Sequence, residues 1–257
     1  MIHFFKKEKI VLDCFTFIPS VYDNAKIKNG SNYFPDWWKN TPRTFGNKNT
    51  IKSCRGFIDY FKDGIVIPSW FESDIHVYPL DDPEQRSFRV QYSNNYVDLG
   101  DSHDNIQFAD FAKHNGRNIK IRSPWAFKTK SDINFLWTQP TWHMRNNFNK
   151  ISVLPAVVNF KYQHHTHINF FLELGETEYT VNLPPITPLV MIHPITEKKV
   201  EIKNHLVDER EFKRIFSTEE LILNRNLQDE SKEYERKKQL KDKIEKSEKC
   251  PFGRNNK

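Results

Sequence analysis

From Val158 to Glu173 the chain alternates between apolar and polar positions. The even positions (Val158, Phe160, Tyr162, His164, Thr166, Ile168, Phe170 and Leu172) are mostly apolar, and the odd ones (Asn159, Lys161, Gln163, His165, His167, Asn169, Phe171 and Glu173) are mostly polar. Strand side chains point to opposite faces in turn, so the pattern predicts one strand with a core face and a polar face. Leu174-Gly175 then fits a hairpin turn. In the register that pairs Glu173 with Glu176, Phe170 faces Tyr179, Ile168 faces Val181 and Thr166 faces Leu183. His167 faces Asn182 on the other side. A slip of one residue would turn every apolar side chain to the wrong face, so this register is specific.

Elsewhere the runs are shorter. KIVLDCFTF, GIVIPSW, DIHVY, FRVQY, IKIRSPWAF, INFLWTQP and KKVEIKN read as strands, as do the apolar runs from VLPAVVNF to LVMIHPI. Pro68 predicts a bulge or an edge in GIVIPSW, because proline has no N–H to give a neighbour. YFPDWWKNTP predicts a short helix opened by Pro35 and Asp36 and closed before Pro42. In IKSCRGFIDYFKDG the spacing of Ile51, Cys54, Ile58 and Phe61 predicts a second helix. Residues 93–118 are polar and read as a long loop with one helical turn. Many short strands with proline-rich joints predict a mainly β fold over residues 1–206. The expected form is a β-sandwich or jelly roll, double-stranded β-helix-like, with short helical insertions.

After His205 the pattern changes. VDEREFKRIF and STEELIL have helical periodicity, and Ser217 and Glu220 are spaced as a capping box. Residues 229–249 hold eight basic and seven acidic side chains. Glu233–Lys237 and Asp242–Lys246 stand in the favourable order for pairs four apart. Only Tyr234, Leu240 and Ile244 are apolar there, a stripe too narrow to hold a helix on a core. Residues 207–257 read as a helical, highly charged tail, either solvated or binding a partner.

Composition narrows the function. Aromatics are 14% of the 257 residues, and the net charge is only +6. Such a balance does not indicate nucleic acid as a partner. Cys14, Cys54 and Cys250 are far apart and form no CxxC, which fits a reducing compartment. MIHFFKKEKIVLDCF does not read as a signal peptide, and no run is long enough for a membrane span. The expectation from these features is a cytoplasmic or intracellularly assembled protein.

The histidines are the candidate chemistry. His165-Thr166-His167, with Glu173 and His193, resembles the HxH, Glu, His order of the cupin superfamily, which holds a metal. That resemblance implies iron or another divalent metal on His165, His167 and His193. Glu173 fits poorly, because six residues of continuous strand span roughly 20 Å, against metal–ligand bonds of about 2 Å. The other reading has no cofactor, and His165, His167 and Asn182 then form a polar contact face. His164 sits on the apolar side and reads as a hydrogen-bonded core histidine. His103 lies between acids in DSHDN, an arrangement that fits a catalytic His–Asp pair and that ordinary loop polarity explains equally well. No histidine has Asp or Glu two residues on, and HExxH, GxxxxGK[ST], GxGxxG and GxSxG are absent. Trp37 and Trp38 are adjacent and cannot point the same way in a regular element, so one is expected exposed as an interface anchor.

The order of FPDWWKNTP, GFIDYFKDGIVIPSW, SPWAFKTKSDINFLWTQP, VVNFKYQHHTHINFF and TPLVMIHPI resembles an uncharacterised family of tailed phages of marine bacteria and cyanobacteria. The likeness covers about residues 10–206. It implies a β-roll or jelly-roll domain and no established activity. The leading expectation is therefore a virion-associated or accessory phage protein, a non-enzymatic binding or structural module with a protein partner or self-association. The alternative is a cupin-like metal-dependent enzyme, an oxygenase or isomerase.

Overall fold

The alternating runs become short strands that share one core. The computed structural model describes residues 9–79, 88–92, 100–101, 108, 117–143, 150–173, 178–215, 235 and 238–243. Strand β1 (Ile10–Thr16) is followed by helix α1 (Pro19–Asn24), strand β2 (Lys28–Asn29) and helix α2 (Asp36–Asn40). A small hairpin, β3 (Thr44–Phe45) and β4 (Lys48–Asn49), precedes helix α3 (Arg55–Asp63). Next come β5 (Ile65–Pro68), β6 (Ser73–Pro79), β7 (Phe88–Tyr92), β8 (Gly100–Asp101), β9 (Arg117–Ile121) and β10 (Ala126–Lys128). Then follow β11 (Phe135–Thr138), β12 (Ile151–Val153), β13 (Ala156–Val158) and β14 (Ile168–Leu172). The last are β15 (Tyr179–Leu183), β16 (Pro188–Pro194) and β17 (Val200–Leu206).

The protein is mainly β. Its sheets run β10-β1-β17, β13-β11-β16-β5-β2, β12-β14-β9-β8 and β15-β6-β7, beside the β3-β4 hairpin. Leu12, Ile67, Val77, Ile121, Phe135 and Phe170, from different strands of these sheets, belong to one buried cluster. Burying side chains of this size stabilises each by roughly 1.5–3 kcal/mol. A second cluster of Tyr33, Phe57, Phe61, Val66 and Met191 packs the helical segments onto the other face of the β11-β16-β5 sheet. No helix among the described residues is long and apolar enough to cross a membrane.

Several expected elements form where the pattern put them. Helix α2 ends at Asn40, and the register opposite Pro68 shifts between Pro188 and Val190. Others differ. IKIRSPWAF splits into β9 and β10, which join different sheets, with the buried Trp125 between them. IKSCRGFIDYFKDG divides at Cys54 into a 3-10 turn (Ile51–Ser53) and α3. Cys54 is exposed, Ile51 and Ile58 are half-buried, and the helix instead buries Phe57 and Phe61, four residues apart. Most of 93–118 lies outside the described residues, as do His103, the Ser217–Glu220 capping box, Tyr234 and Ile244, although β9 already begins at Arg117.

The predicted strand 158–173 is broken. After β13 the Asn159 side chain accepts the Lys161 N–H at 3.0 Å. Its backbone carbonyl accepts the N–H groups of Tyr162 and Gln163 at 3.1 and 2.9 Å, closing a tight turn. The Asn159 amide donates to Asp132 at 2.7 Å, anchoring the turn from a distant loop. The chain then touches β10 through an isolated bridge between His165 and Ala126 before β14 begins. Every even position from Val158 to Leu172 is nevertheless buried. The alternation correctly marked the core side, even where the backbone is not a strand.

The predicted hairpin does not form. Both edges of β14 are taken, by β12 and by β9, with Phe170 opposite Val153 and Ile119. Strand β15 pairs instead with β6, Tyr179 opposite Val77 and Val181 opposite Ile75. These partners offer the same apolar parity, so alternation fixed the face of each strand but not its neighbour.

Candidate functional site

The break at Asn159 positions the histidines. Residues 163–167 run extended past β10, and His165 and His167 stack with ring centroids 4.9 Å apart. Together with Gln163 they line an open groove of about 580 Å³. Its other side comes from two sheets. Strands β9 and β14 supply Lys120 and Asn169, which are directly opposed in register. Strand β11 supplies Trp137, and the turn from β12 to β13 supplies Leu154 and Pro155.

The groove's polar groups are incompletely used by the chain itself. Lys120 is half-buried on β9, directly opposite Asn169 of β14 on one side and Asp101 of β8 on the other. Trp137 is 4% exposed. Its indole N–H and the side-chain oxygen of Asn169 are buried without a hydrogen-bond partner among the described residues. Leaving such an atom unpaired costs roughly 1–3 kcal/mol, so two of them beside one groove are unusual.

The structure separates His193 from this groove. On β16, His193 is opposite Leu136, while Ile192 is opposite Trp137. Directly paired residues share a face, so His193 lies on the face away from Trp137 and the groove. There its Nε2–H donates to the Tyr60 carbonyl at 3.0 Å, and its ring lies against Tyr60. Burial pushes its pKa below the ordinary histidine value, against the pull of the Tyr60 carbonyl and Asp63. Glu173 is exposed past the far end of β14, its backbone carbonyl accepting from the Tyr179 hydroxyl. The expected ligand set of His165, His167 and His193 is therefore not brought together. Among the described residues no three His, Cys, Asp or Glu side chains are grouped to hold an ion.

Asn182 also lies apart from His167, because β15 and β14 belong to different sheets. Its amide donates to Asp74 at 2.6 Å. It lines a second groove of about 380 Å³ with Asp36 and Lys39 of α2 and the loop Pro184–Pro188. In that loop Ile186 has φ of 66°. This is left-handed backbone that a β-branched residue rarely adopts. Ser69 holds it: the Ile186 N–H donates to the Ser69 carbonyl, and the Thr187 N–H donates to the Ser69 hydroxyl, both at 3.0 Å.

The adjacent tryptophans diverge as expected. Trp38 stacks on Phe34 at 4.2 Å, while Trp37 is 44% exposed and meets Trp142 at 6.1 Å. Trp142 is 39% exposed, so the two form a small surface aromatic pair.

His164 is buried as expected, with one ring nitrogen 2.9 Å from the Phe127 carbonyl. Its other nitrogen meets Lys241 at 3.0 Å, and Lys241 also donates to the carbonyls of Lys161 and Tyr162. Those partners assign Nδ1–H donating to Phe127 and Nε2 accepting from Lys241. Asp242 pairs with Lys161 at 3.1 Å. The described tail residues 238–243 thus contact the turn 159–164 through charges, and Leu240 remains 53% exposed. Within this contact Asp132 is held below the ordinary carboxylate range. Burial raises it, but hydrogen bonds from Asn159 and Tyr162, with the charges of Lys238 and Lys161, outweigh that.

Lys120, Trp137 and Lys241 carried no sequence signal, since each reaches its position by long-range packing. Gln163 and Asn169 were legible as members of the polar odd face. No protein-family model matches the chain, and no curated protein matches it.

Proposed function

We propose that this chain is a non-enzymatic binding module, virion-associated or accessory in a tailed phage, built on a β-sandwich or jelly roll. Its histidine groove is the contact surface. The observation that carries this reading is the groove itself: Gln163, His165, His167 and Asn169 turn toward one opening that also holds the half-buried Lys120. Concave sites of a few hundred Å³ with a few convergent polar groups are the usual form of ligand sites. The Trp37–Trp142 pair supplies a second contact for a protein partner or another copy, because exposed tryptophans are frequent interface anchors. The motif order supports the phage assignment, with the host cytoplasm or the virion as the location.

Elemental analysis of dialysed protein, beside the His165→Ala/His167→Ala double variant, tests the non-enzymatic reading. Metal content below a stoichiometric level in both, also after incubation with iron, supports it. Close to one iron, zinc or manganese per chain, lost in the double variant, overturns it. Mass spectrometry of purified particles tests the virion assignment.

A further inference from the structure

We propose that residues 238–243 form a detachable strap that holds the turn 159–164 and, through it, the 163–167 wall of the histidine groove. The strap is helical, and its half-buried residues Lys238, Lys241 and Asp242 stand three and four positions apart. They therefore share one face. Gln239, Leu240 and Lys243 are exposed. The helix thus docks by a charged stripe, and Leu240, the one apolar residue of the six, is left 53% exposed.

The charged stripe grips the turn at several points. The Lys241 ammonium donates to the carbonyls of Lys161 and Tyr162 at 3.1 and 3.3 Å, and to Nε2 of His164 at 3.0 Å. An ammonium has three donors, and the turn presents three acceptors. Asp242 meets Lys161 at 3.1 Å, and Lys238 comes to 4.0 Å from Asp132. Asp132 is also the anchor of the turn, accepting from Asn159 and Tyr162 at 2.7 and 2.9 Å. What the strap holds is the start of the groove wall. The N–H groups of Tyr162 and Gln163 close the turn on the Asn159 carbonyl. His164, the third acceptor of Lys241, sits between the wall residues Gln163 and His165. The strap is detachable because it buries no apolar side chain of its own, whereas the sheets cannot part without uncovering their shared core. Units with few buried apolar contacts open far more readily than the whole fold. Salt weakens contacts between charges and leaves apolar packing in place.

The test is hydrogen–deuterium exchange of the full chain, read by mass spectrometry. Lys241→Gln should speed exchange of peptides covering 159–165 about tenfold or more, the loss of one charge-assisted grip. Peptides covering β16, in the core, should not change. Raising the salt from about 0.1 to about 1 M should act on the unaltered protein in the same direction. Lys161→Glu should also speed the turn, and adding Asp242→Lys should restore most of its protection by reversing the pair. An unchanged turn in Lys241→Gln, or no response to salt, overturns the strap. Equal acceleration in β16 overturns its detachability, since the whole fold is then opening. A reversed pair that restores no protection overturns the docking by charge. The proposal rests on the binding-module reading only in treating 163–167 as a groove wall. Exchange is read without ligand, so its failure leaves that reading to the metal analysis.

Discussion

The two grooves use their polar groups differently. In the second groove, Asp36 meets Lys39, Asn182 meets Asp74, and the Asn32 amide meets the Asn29 carbonyl. Its loop is strained at Ile186 but fully bracketed by Ser69. Beside the histidine groove, the Trp137 N–H and the Asn169 oxygen are buried without a hydrogen-bond partner among the described residues. Bonded pairs such as Asp36–Lys39 and Asn182–Asp74 hold their wall in place, whereas each buried atom left unpaired beside the histidine groove costs roughly 1–3 kcal/mol.

The largest expected effect comes from removing the histidine groove's support. Phe160 is fully buried among Phe127, Phe135 and Trp137. Phe160→Ala should lower stability by about 3–5 kcal/mol in urea unfolding, since the cavity cannot collapse fully. A loss under about 1 kcal/mol would show that the turn at 159–162 does not hold this ring in the core.

Asn159→Ala removes the cap of that turn and its bonds to Asp132 and Asn134. It should cost about 2–3 kcal/mol. Asn182→Ala in the other groove removes one bond to Asp74 and should cost about 1 kcal/mol. Equal losses would erase the contrast between a turn that builds one groove and a side chain that only lines the other.

Acid should destabilise the sheet face opposite the histidine groove. His193 is depressed in the folded state by burial, so the unfolded chain binds the extra proton first. The stabilising contribution is complete above the ordinary value of 6.5 and is lost as the pH falls through the lower folded value. Thermal unfolding of the protein and of His193→Gln should therefore converge below that range. Parallel profiles at all pH values would remove His193 as the cause.

Ile186→Gly should be neutral or stabilising by about 0.5–1 kcal/mol, because glycine adopts positive φ freely and Ile186 is 48% exposed. The smallest expected change belongs to the His165→Ala/His167→Ala double variant, within about 1 kcal/mol, since both rings are only half-buried on the polar face. A loss of several kcal/mol would make them core groups and not groove walls.

Particular residues show how far the sequence could be read. Alternation alone marks Gln163, His165, His167 and Asn169 as one polar face, and all four line the histidine groove. Trp37 and Trp38 announced by adjacency alone that one would be exposed. Lys120 and Trp137 were not legible, because nothing in IKIRSP or FLWTQP distinguishes a groove residue from an ordinary strand residue. The tail's attachment was also hidden. A narrow apolar stripe argued against docking, yet Lys241 docks by donating to two backbone carbonyls and His164.

By itself the sequence determined the mainly β class, the short helix at Asp36–Asn40, and the core side of the even positions from 158 to 172. These follow from period and local turn chemistry, which act over a few residues. Tertiary structure alone decided that β14 pairs with β9 and β12, that β15 pairs with β6, and that His193 faces away from His165 and His167. The Asn159 turn belongs to the same class, because Asp132, which anchors it, lies 27 residues away. Apolar parity is shared by every strand with a core face. Only competition for the one core, resolved by long-range packing, selects which strands become neighbours.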